Sequence, residues 1–331
     1  MDASFPAPYT ARPATLDDAE AVAALLNLTA VGFVGEPSTT PENLCSEWQA
    51  PGYDLAALSM IAEAPDGSLA ACALVETPAP HHEVFVAVDV APAHRGVGLD
   101  LALLRWVEGL APGLVVAAPA GAETVLRWGA WVGEDDLAAM LQAHRYALVR
   151  HFWRMTIDLD RPPAAPAWPT GIAARRFRRG EDERATYEAV TEAFRDHWGG
   201  DEEPYDEWLW SKVESPAAGF DADLWILALD GREIAGVAIN QPRARFDPAV
   251  GYVRVVGVRR PWRRRGLARA LLLESFAALR ARGATAAALD VDAASPTGAV
   301  ALYEGVGMTS CPRFEVWEKP VVRASAPPRT G

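Results

Sequence analysis

Apolar residues along this chain fall into two kinds of burst, and the two alternate. Val84–Val90 (VFVAVDV) and Tyr252–Val258 (YVRVVGV) are short β-branched runs of strand length. Each is followed by a glycine-containing loop, and then by a longer run whose apolar positions recur at helical spacing, ending at Leu110 in one case and before Gly283 in the other. Trp225–Leu229 and Glu233–Ile239, joined at Asp230-Gly231, read as a hairpin. Thr285–Val291 is a short apolar strand and Gly298–Glu304 a short helix. The order is strand, one or two helices, several strands, helix, strand, helix, strand. It predicts an α/β fold built on a mixed, mostly antiparallel sheet flanked by helices.

That order occurs twice. Val90 and Val258, Arg95 and Arg263, Gly98 and Gly266, and Leu99 and Leu267 are each 168 residues apart. One offset shared across strand, loop and helix indicates a tandem duplication. The beginnings agree as well. Ala11–Thr15 and Ile172–Phe177 are short strands, each followed by acidic residues (Asp17 and Asp18; Glu181 and Asp182) that suit a helix N-terminus. Between the copies lies the proline- and alanine-rich stretch Asp158–Gly171, read as an extended linker. The expected division is residues 1–160, a linker at 161–170, residues 171–320, and a disordered tail at 321–331.

Composition removes several function classes. The formal charge is −13, against nucleic acid as a partner, which demands a broad basic face. Cys45, Cys72 and Cys311 are far apart and the six histidines show no ligand spacing, so neither a metal site nor a disulfide framework is expected. No basic-then-apolar leader and no apolar run of membrane-spanning length is visible, which points to the cytoplasm. The twelve tryptophans are scattered and read as core.

Against that acidic background, Arg259–Arg265 holds five arginines in seven positions, where a strand ends and a helix opens. First-turn amides have no intrahelical partner and lie at the positive end of the dipole, so this junction suits a phosphate. Gly266 allows close approach to the backbone, and arginines add charge-assisted contacts.

The residues Arg263-Arg264-Arg265-Gly266-Leu267-Ala268 resemble the (Gln/Arg)-x-x-Gly-x-(Gly/Ala) signature of the GCN5-related N-acetyltransferases (GNAT). Downstream, Val291–Met308, with Leu302-Tyr303-Glu304 and Gly305-Val306-Gly307-Met308, resembles that superfamily's later LYE-x-x-GF block. The resemblance covers nearly the whole second half, and the tandem plan is similar to that of two-domain bacterial members of the mycothiol synthase kind. It implies two tandem GNAT-like domains, with acetyl-coenzyme A or another acyl-coenzyme A as co-substrate and no metal. The cradle Arg263, Arg264, Arg265, Gly266, Leu267 and Ala268 would hold the pyrophosphate. Val256, Gly257 and Val258, on a strand that splays from its neighbour, would bind the pantetheine arm and polarise the thioester. Tyr303 would be the acid that protonates the departing thiolate. The family's asparagine is replaced by Ser295, and its phenylalanine by Met308. His197, Asp292 and Glu315 are candidate general bases, with none singled out.

The first half retains Arg95, Gly96, Val97 and Gly98, which the resemblance implies as a second coenzyme A loop, but Asp100 stands where Ala268 does, and a carboxylate there weakens a diphosphate site without excluding it. Aligning Gly121–Trp131 with the later block puts Arg127 at the tyrosine's place, so this copy is expected to be catalytically degenerate. The function implied is an acyl-coenzyme A-dependent N-acyltransferase, an N-acetyltransferase in the first instance, acting on a small amine by direct attack, as monomer or homodimer. Two alternatives are a non-catalytic acyl-coenzyme A sensor or partner-binding protein, and a protein N-acetyltransferase.

Overall fold

The computed structural model describes residues 5–199, 203–295 and 297–322. These divide into two compact units. One holds the described residues of Met1–His151 and Arg313–Gly331; the other is Phe152–Pro312.

The first unit begins with β1 (Thr10–Arg12), α1 (Ala19–Val34), α2 (Pro41–Trp48) and α3 (Leu55–Leu58). Then come β2 (Ser59–Glu63), β3 (Leu69–Glu76), β4 (Glu83–Val90), α4 (Leu99–Leu114), β5 (Val125–Trp131), α5 (Asp135–Ala143) and the start of β6 (Ala147–Asp158). The second unit takes the end of β6 and adds β7 (Ile172–Arg176), α6 (Glu183–Phe194), α7 (Tyr205–Leu209), β8 (Ile226–Asp230), β9 (Glu233–Gln241) and β10 (Val250–Val258). It continues with α8 (Leu267–Ala281), β11 (Ala286–Asp292), α9 (Ala299–Gly305) and the start of β12 (Thr309–Pro320).

Both sheets follow one plan. In the first unit β1 to β4 are successive antiparallel neighbours, β4 runs parallel to β5, and β5 pairs antiparallel with Phe314–Pro320 of β12. In the second, β7 to β10 are successive antiparallel neighbours, β10 runs parallel to β11, and β11 pairs antiparallel with Phe152–Asp158 of β6. The sixth strand of each sheet therefore comes from the far end of the other half of the sequence. This differs from a division at 161–170. Residues 159–171 carry no helix or strand, as a linker should, yet they lie inside the second unit, where Leu159 is buried and Trp168 packs on a core cluster. Hydrophobic alternation marks an edge strand but not which sheet it completes. Residues 323–331 of the expected tail lie outside the described residues.

The duplication extends to detail. Arg12 grips Asp18 with two bonds of 2.8 Å ahead of α1, and Arg175 grips Asp182 at 2.6 and 2.8 Å ahead of α6. Each arginine holds its aspartate's carboxyl below the usual range. Each unit has its own buried cores, with Trp128, Leu103 and Leu141 in one and Phe276, Leu279 and Leu289 in the other.

In the second unit β10 keeps its ladder with β9 as far as Val258, with a bulge between Val253 and Val255. Its pairing with β11 stops after Val250, Gly251 and Tyr252. Beyond Tyr252 the two parallel strands part. Gly251 is needed where they still pair, since a Cβ there would lie 2.7 Å from a methyl of fully buried Leu279. Gly251→Ala is expected to lower the unfolding free energy by about 1–3 kcal/mol, the usual cost of overpacking. Denaturant unfolding would measure this, and an unchanged midpoint would contradict the packing described.

Candidate active site

The parting of β10 and β11 opens a cleft of about 630 Å³ in the second unit. Val256, Gly257 and Val258 line one side, and Arg263, Arg264, Gly266, Leu267 and Ala268 line its end. Arg264 (φ 64°) and Gly266 (φ 84°) both take left-handed backbone, which turns the loop into α8. Among the described residues, the amides of Arg264 through Arg269 donate to no protein acceptor. They are an unsatisfied row of donors at a helix N-terminus. Gly257 is a glycine because α6 lies against it, and a Cβ there would come within 3.0 Å of Ala193 and 3.1 Å of Phe194.

The arginine cluster is divided. Arg259 bonds Glu192 at 2.5 Å and the Ile234 carbonyl, and Arg260 pairs with Asp196. Arg263 reaches Asp196 (3.0 Å) and the carbonyls of Val258 (3.1 Å) and Ala193 (2.9 Å), tying the loop to α6. Arg264 lines the cleft, while Arg265 is exposed and lines neither this cleft nor the next. Three of the five arginines thus hold the loop in shape, and the expectation that the whole cluster faces an anion is corrected accordingly. Asp196 in turn is kept below the carboxylate range, to about 2, by Arg260 and then Arg263.

A second cleft, of about 350 Å³, adjoins the first. The two share Phe194, His197, Asp290, Ala299 and Tyr303. Tyr303 comes from the short helix α9, and its hydroxyl has no hydrogen-bond partner among the described residues. Burial pushes its pKa up to about 12, so it stays protonated at neutral pH. His197 follows α6 and rests against the Phe194 ring at 4.6 Å, half-buried rather than on the surface. Burial, then the Arg263 charge, lowers its pKa below the usual imidazole value, against a smaller opposing pull from Asp196 and Asp292.

Asp292 lines the second cleft, with Oδ1 accepting the Ala294 amide at 2.8 Å. Ser295 lines the second cleft too, not the first. Its hydroxyl is bonded to that of Thr297 (2.9 Å), and Thr297 is the residue facing the cradle side. Glu315 belongs to the other unit, 3.6 Å from His151, and lines neither cleft.

Sequence reasoning missed Asp290, which lines both clefts. Its carboxylate is held by Arg154 on β6 (2.5 and 3.1 Å) and by the Tyr252 hydroxyl (2.9 Å). The period of two from Asp292 was the only signal for it; its partners lie 136 and 38 residues away. Also missed were the aromatic walls Phe152, Tyr187 and Trp208, and Glu203 beside them. Lys212 stands 3.6 Å from Glu203, and burial, then the Arg254 charge, lowers its pKa to about 8.

The first unit has the same loop, with Gly96 (φ 75°) and Gly98 (φ 91°) in left-handed backbone and Arg95 bonded to the Val90 carbonyl. Arg95 also lies over Phe33, and Val97 is exposed. There Asp100 Oδ1 already accepts the Leu101 amide at 2.8 Å. The position equivalent to Tyr303 is Leu141, not Arg127. The Tyr146 amide donates to the Leu141 carbonyl after α5, as Met308 donates to Tyr303 after α9. Arg127 lies on β5, the counterpart of β11, paired with Glu83 and Glu318. The earlier alignment matched a strand to a helix because both runs are alanine- and glycine-rich. The phenol is absent either way. The α1 and α6 offset of 164 residues, from Asp18 to Asp182, places Phe33 where His197 stands.

Among the described residues no helix is long and apolar enough to cross a membrane, and no group of three or more metal-ligating side chains forms.

Comparison with known proteins agrees with this geometry. A sequence profile described as "Acetyltransferase (GNAT) family" matches residues 184–308. A mycothiol acetyltransferase of Thermobispora bispora is 33% identical over 228 residues, 66% of this chain and 70% of that protein. One from Streptomyces bingchenggensis is 32% identical over 259 residues, covering 76% of this chain and 77% of that protein. Among solved structures, a GCN5-related N-acetyltransferase from Sphaerobacter thermophilus superposes with TM-score 0.80 at 36% identity, covering 98% of both chains. A tandem GNAT protein from the clavulanic acid biosynthesis pathway gives 0.71 at 15% identity, over 96% of this chain and 100% of that one, a likeness of fold alone. With parted strands, a free row of amides and relatives of this identity over most of their length, the chain belongs to the GNAT family and is an acyl-coenzyme A-dependent N-acetyltransferase.

Proposed function

We propose that the second unit carries the reaction, moving an acetyl group from acetyl-coenzyme A to the amine of a small molecule by direct attack. The observation that carries this reading is the junction of the two clefts. A row of unpaired helix-terminal amides opens one, and Tyr303 and His197 stand where it meets the other. The amides of Arg264–Arg269 would bind the diphosphate, with Arg264 adding charge. The free edge of β10 at Val256–Val258 would hydrogen-bond the pantetheine arm, and an amide there would stabilise the oxyanion formed on attack.

His197 is the base. Its lowered pKa leaves the imidazole neutral at pH 7, so a ring nitrogen is open to the proton of the incoming ammonium. As the C–N bond forms and the C–S bond breaks, the negative charge moves to sulfur, and Tyr303 donates to it. A phenol near 12 is a weaker acid than a free thiol near ~8.5, so it acts first as a hydrogen-bond donor, with proton transfer late. Asp290, committed to Arg154 and Tyr252, is a positioning residue rather than a base.

The first unit is read as non-catalytic. Leu141 replaces the phenol, Phe33 replaces the imidazole, and the Asp100 carboxylate occupies a first-turn amide and repels a diphosphate. Arg95, Gly96, Val97 and Gly98 then keep the loop's shape without its ligand.

Native mass spectrometry of the purified protein should find a single coenzyme A per chain; two per chain would contradict the account of Asp100. Ala268→Asp, which copies the first unit's device into the second, should raise KM for acetyl-coenzyme A at least about tenfold with thermal stability unchanged. Tyr303→Phe should cut kcat about 10²-fold or more while acetyl-coenzyme A binding persists. In the same kinetic series, wild-type kcat should fall as pH drops through the His197 pKa, below that of a free imidazole, and His197→Ala should abolish that limb. Binding without transfer to any of a broad amine panel would instead favour a sensor.

A further inference from the structure

The helix that carries Tyr303 is short and shallowly seated. α9 spans Ala299–Gly305, and none of its residues is buried. Ala299, Val300, Leu302 and Tyr303 pack at the margin of the second unit's core. Its counterpart in the first unit, α5, is held differently, with Leu137 and Leu141 both buried in that unit's core. A phenol in place of Leu141 brings a hydroxyl to the clefts and gives up that apolar anchor, so the seating of α9 depends on other contacts.

Arg269 supplies one. It is the third residue of α8 and lines the first cleft, and its Nη1 donates to the Gly305 carbonyl at 2.5 Å. Gly305 closes α9, where carbonyls lack intrahelical partners and a cation suits the negative end of the dipole. Among the described residues the guanidinium makes no other hydrogen bond or ion pair. The backbone amide of the same residue belongs to the unpaired row that opens α8. One residue therefore joins the amide turn to the helix of the phenol. The first unit, which lacks the phenol, lacks this link too: at the 168-residue offset Leu101 stands where Arg269 does, and it packs against the core.

We infer that Arg269 is a positioning residue for the transfer, setting through Gly305 where the Tyr303 hydroxyl stands relative to the amides that open α8. It acts by placement, since burial is what raises the Tyr303 pKa, with no contribution from the Arg269 charge. Tyr303 lies two residues before Gly305 in a helix of about two turns, so a shift at that carbonyl is carried to the ring. A charge-assisted bond is stronger than a neutral one, which suits a tether at an exposed position. This rests on the reading of Tyr303 as the donor to sulfur but can fail separately from it.

The test uses the full chain labelled with 3-fluorotyrosine, the Tyr303 fluorine signal being the one lost in Tyr303→Phe. Arg269→Met keeps side-chain length and helix propensity but donates nothing. It should move or broaden the Tyr303 signal and leave those of Tyr9, Tyr53 and Tyr146, in the first unit, in place. Arg269→Lys, which keeps a donor, should return the signal toward its wild-type position. With the fastest acceptor of an amine panel, Arg269→Met should lower kcat about tenfold or more while KM for acetyl-coenzyme A changes less than about threefold. When Tyr303 is already phenylalanine, the same substitution should cost less than about twofold. An unmoved Tyr303 signal, displacement of every tyrosine signal, or a full additional loss on top of Tyr303→Phe would each overturn the proposal. A raised KM with kcat unchanged would overturn it too, and make Arg269 a phosphate ligand instead. If no amine is acetylated while Arg269→Met still moves the Tyr303 signal alone, the transfer reading fails and the tether between α8 and α9 stands.

Discussion

Everything in the second unit depends on the separation of two parallel strands after Tyr252. A sheet normally satisfies both edges of an inner strand, and leaving one unpaired exposes backbone donors and acceptors that favour another polar chain. Here the bulge at Val253–Val255 and the seating of α6 against Gly257 go with the opening. The pantetheine arm of a coenzyme A thioester is an amide chain of the kind such an edge can pair with. Next to the edge, the left-handed turn at Arg264 and Gly266 leaves six successive amides without partners. Two different sources of unsatisfied backbone thus line one cleft.

Charge in this region is used mainly for architecture. The acidic residues Glu192 and Asp196 on and just after α6 draw Arg259, Arg260 and Arg263 into ion pairs, and those pairs bind the loop to the helix that also carries Phe194 and leads to His197. Such pairs at partly exposed positions add little stability each, but they fix where the free amides point. The chain can be strongly acidic overall and still present a local row of unpaired donors, because that row is made of backbone.

The first unit repeats the loop and strand geometry of the second with different side chains at several positions. Loop glycines, arginine contact to the preceding carbonyl, and the parting of β4 from β5 after Val86 all recur. What differs is a few side chains: Asp100 for alanine, Leu141 for the phenol, Phe33 for the imidazole. The first unit's sheet has six strands, and the last of them, Phe314–Pro320, follows α9 in the chain.

The repeat, the α/β class, the glycine turn that opens α8 and the helix of Tyr303 were legible in the amino-acid order. Each is written locally: as a period of apolar residues, as glycine at a left-handed turn, or as a fixed offset between copies. What the order did not determine was anything set by distant partners. Alternation in β6 and β12 could not say which sheet each would complete, since an edge strand carries no mark of its neighbour. A run of five arginines could not say that three would be drawn to α6. Asp290 could not be told from any other strand aspartate until Arg154 closed on it from another strand. Nor could the order say that Ser295 and Thr297 would line different clefts. Local sequence fixes backbone propensity over a few residues, whereas pairing of charges and strands depends on which surfaces the fold brings within hydrogen-bond reach.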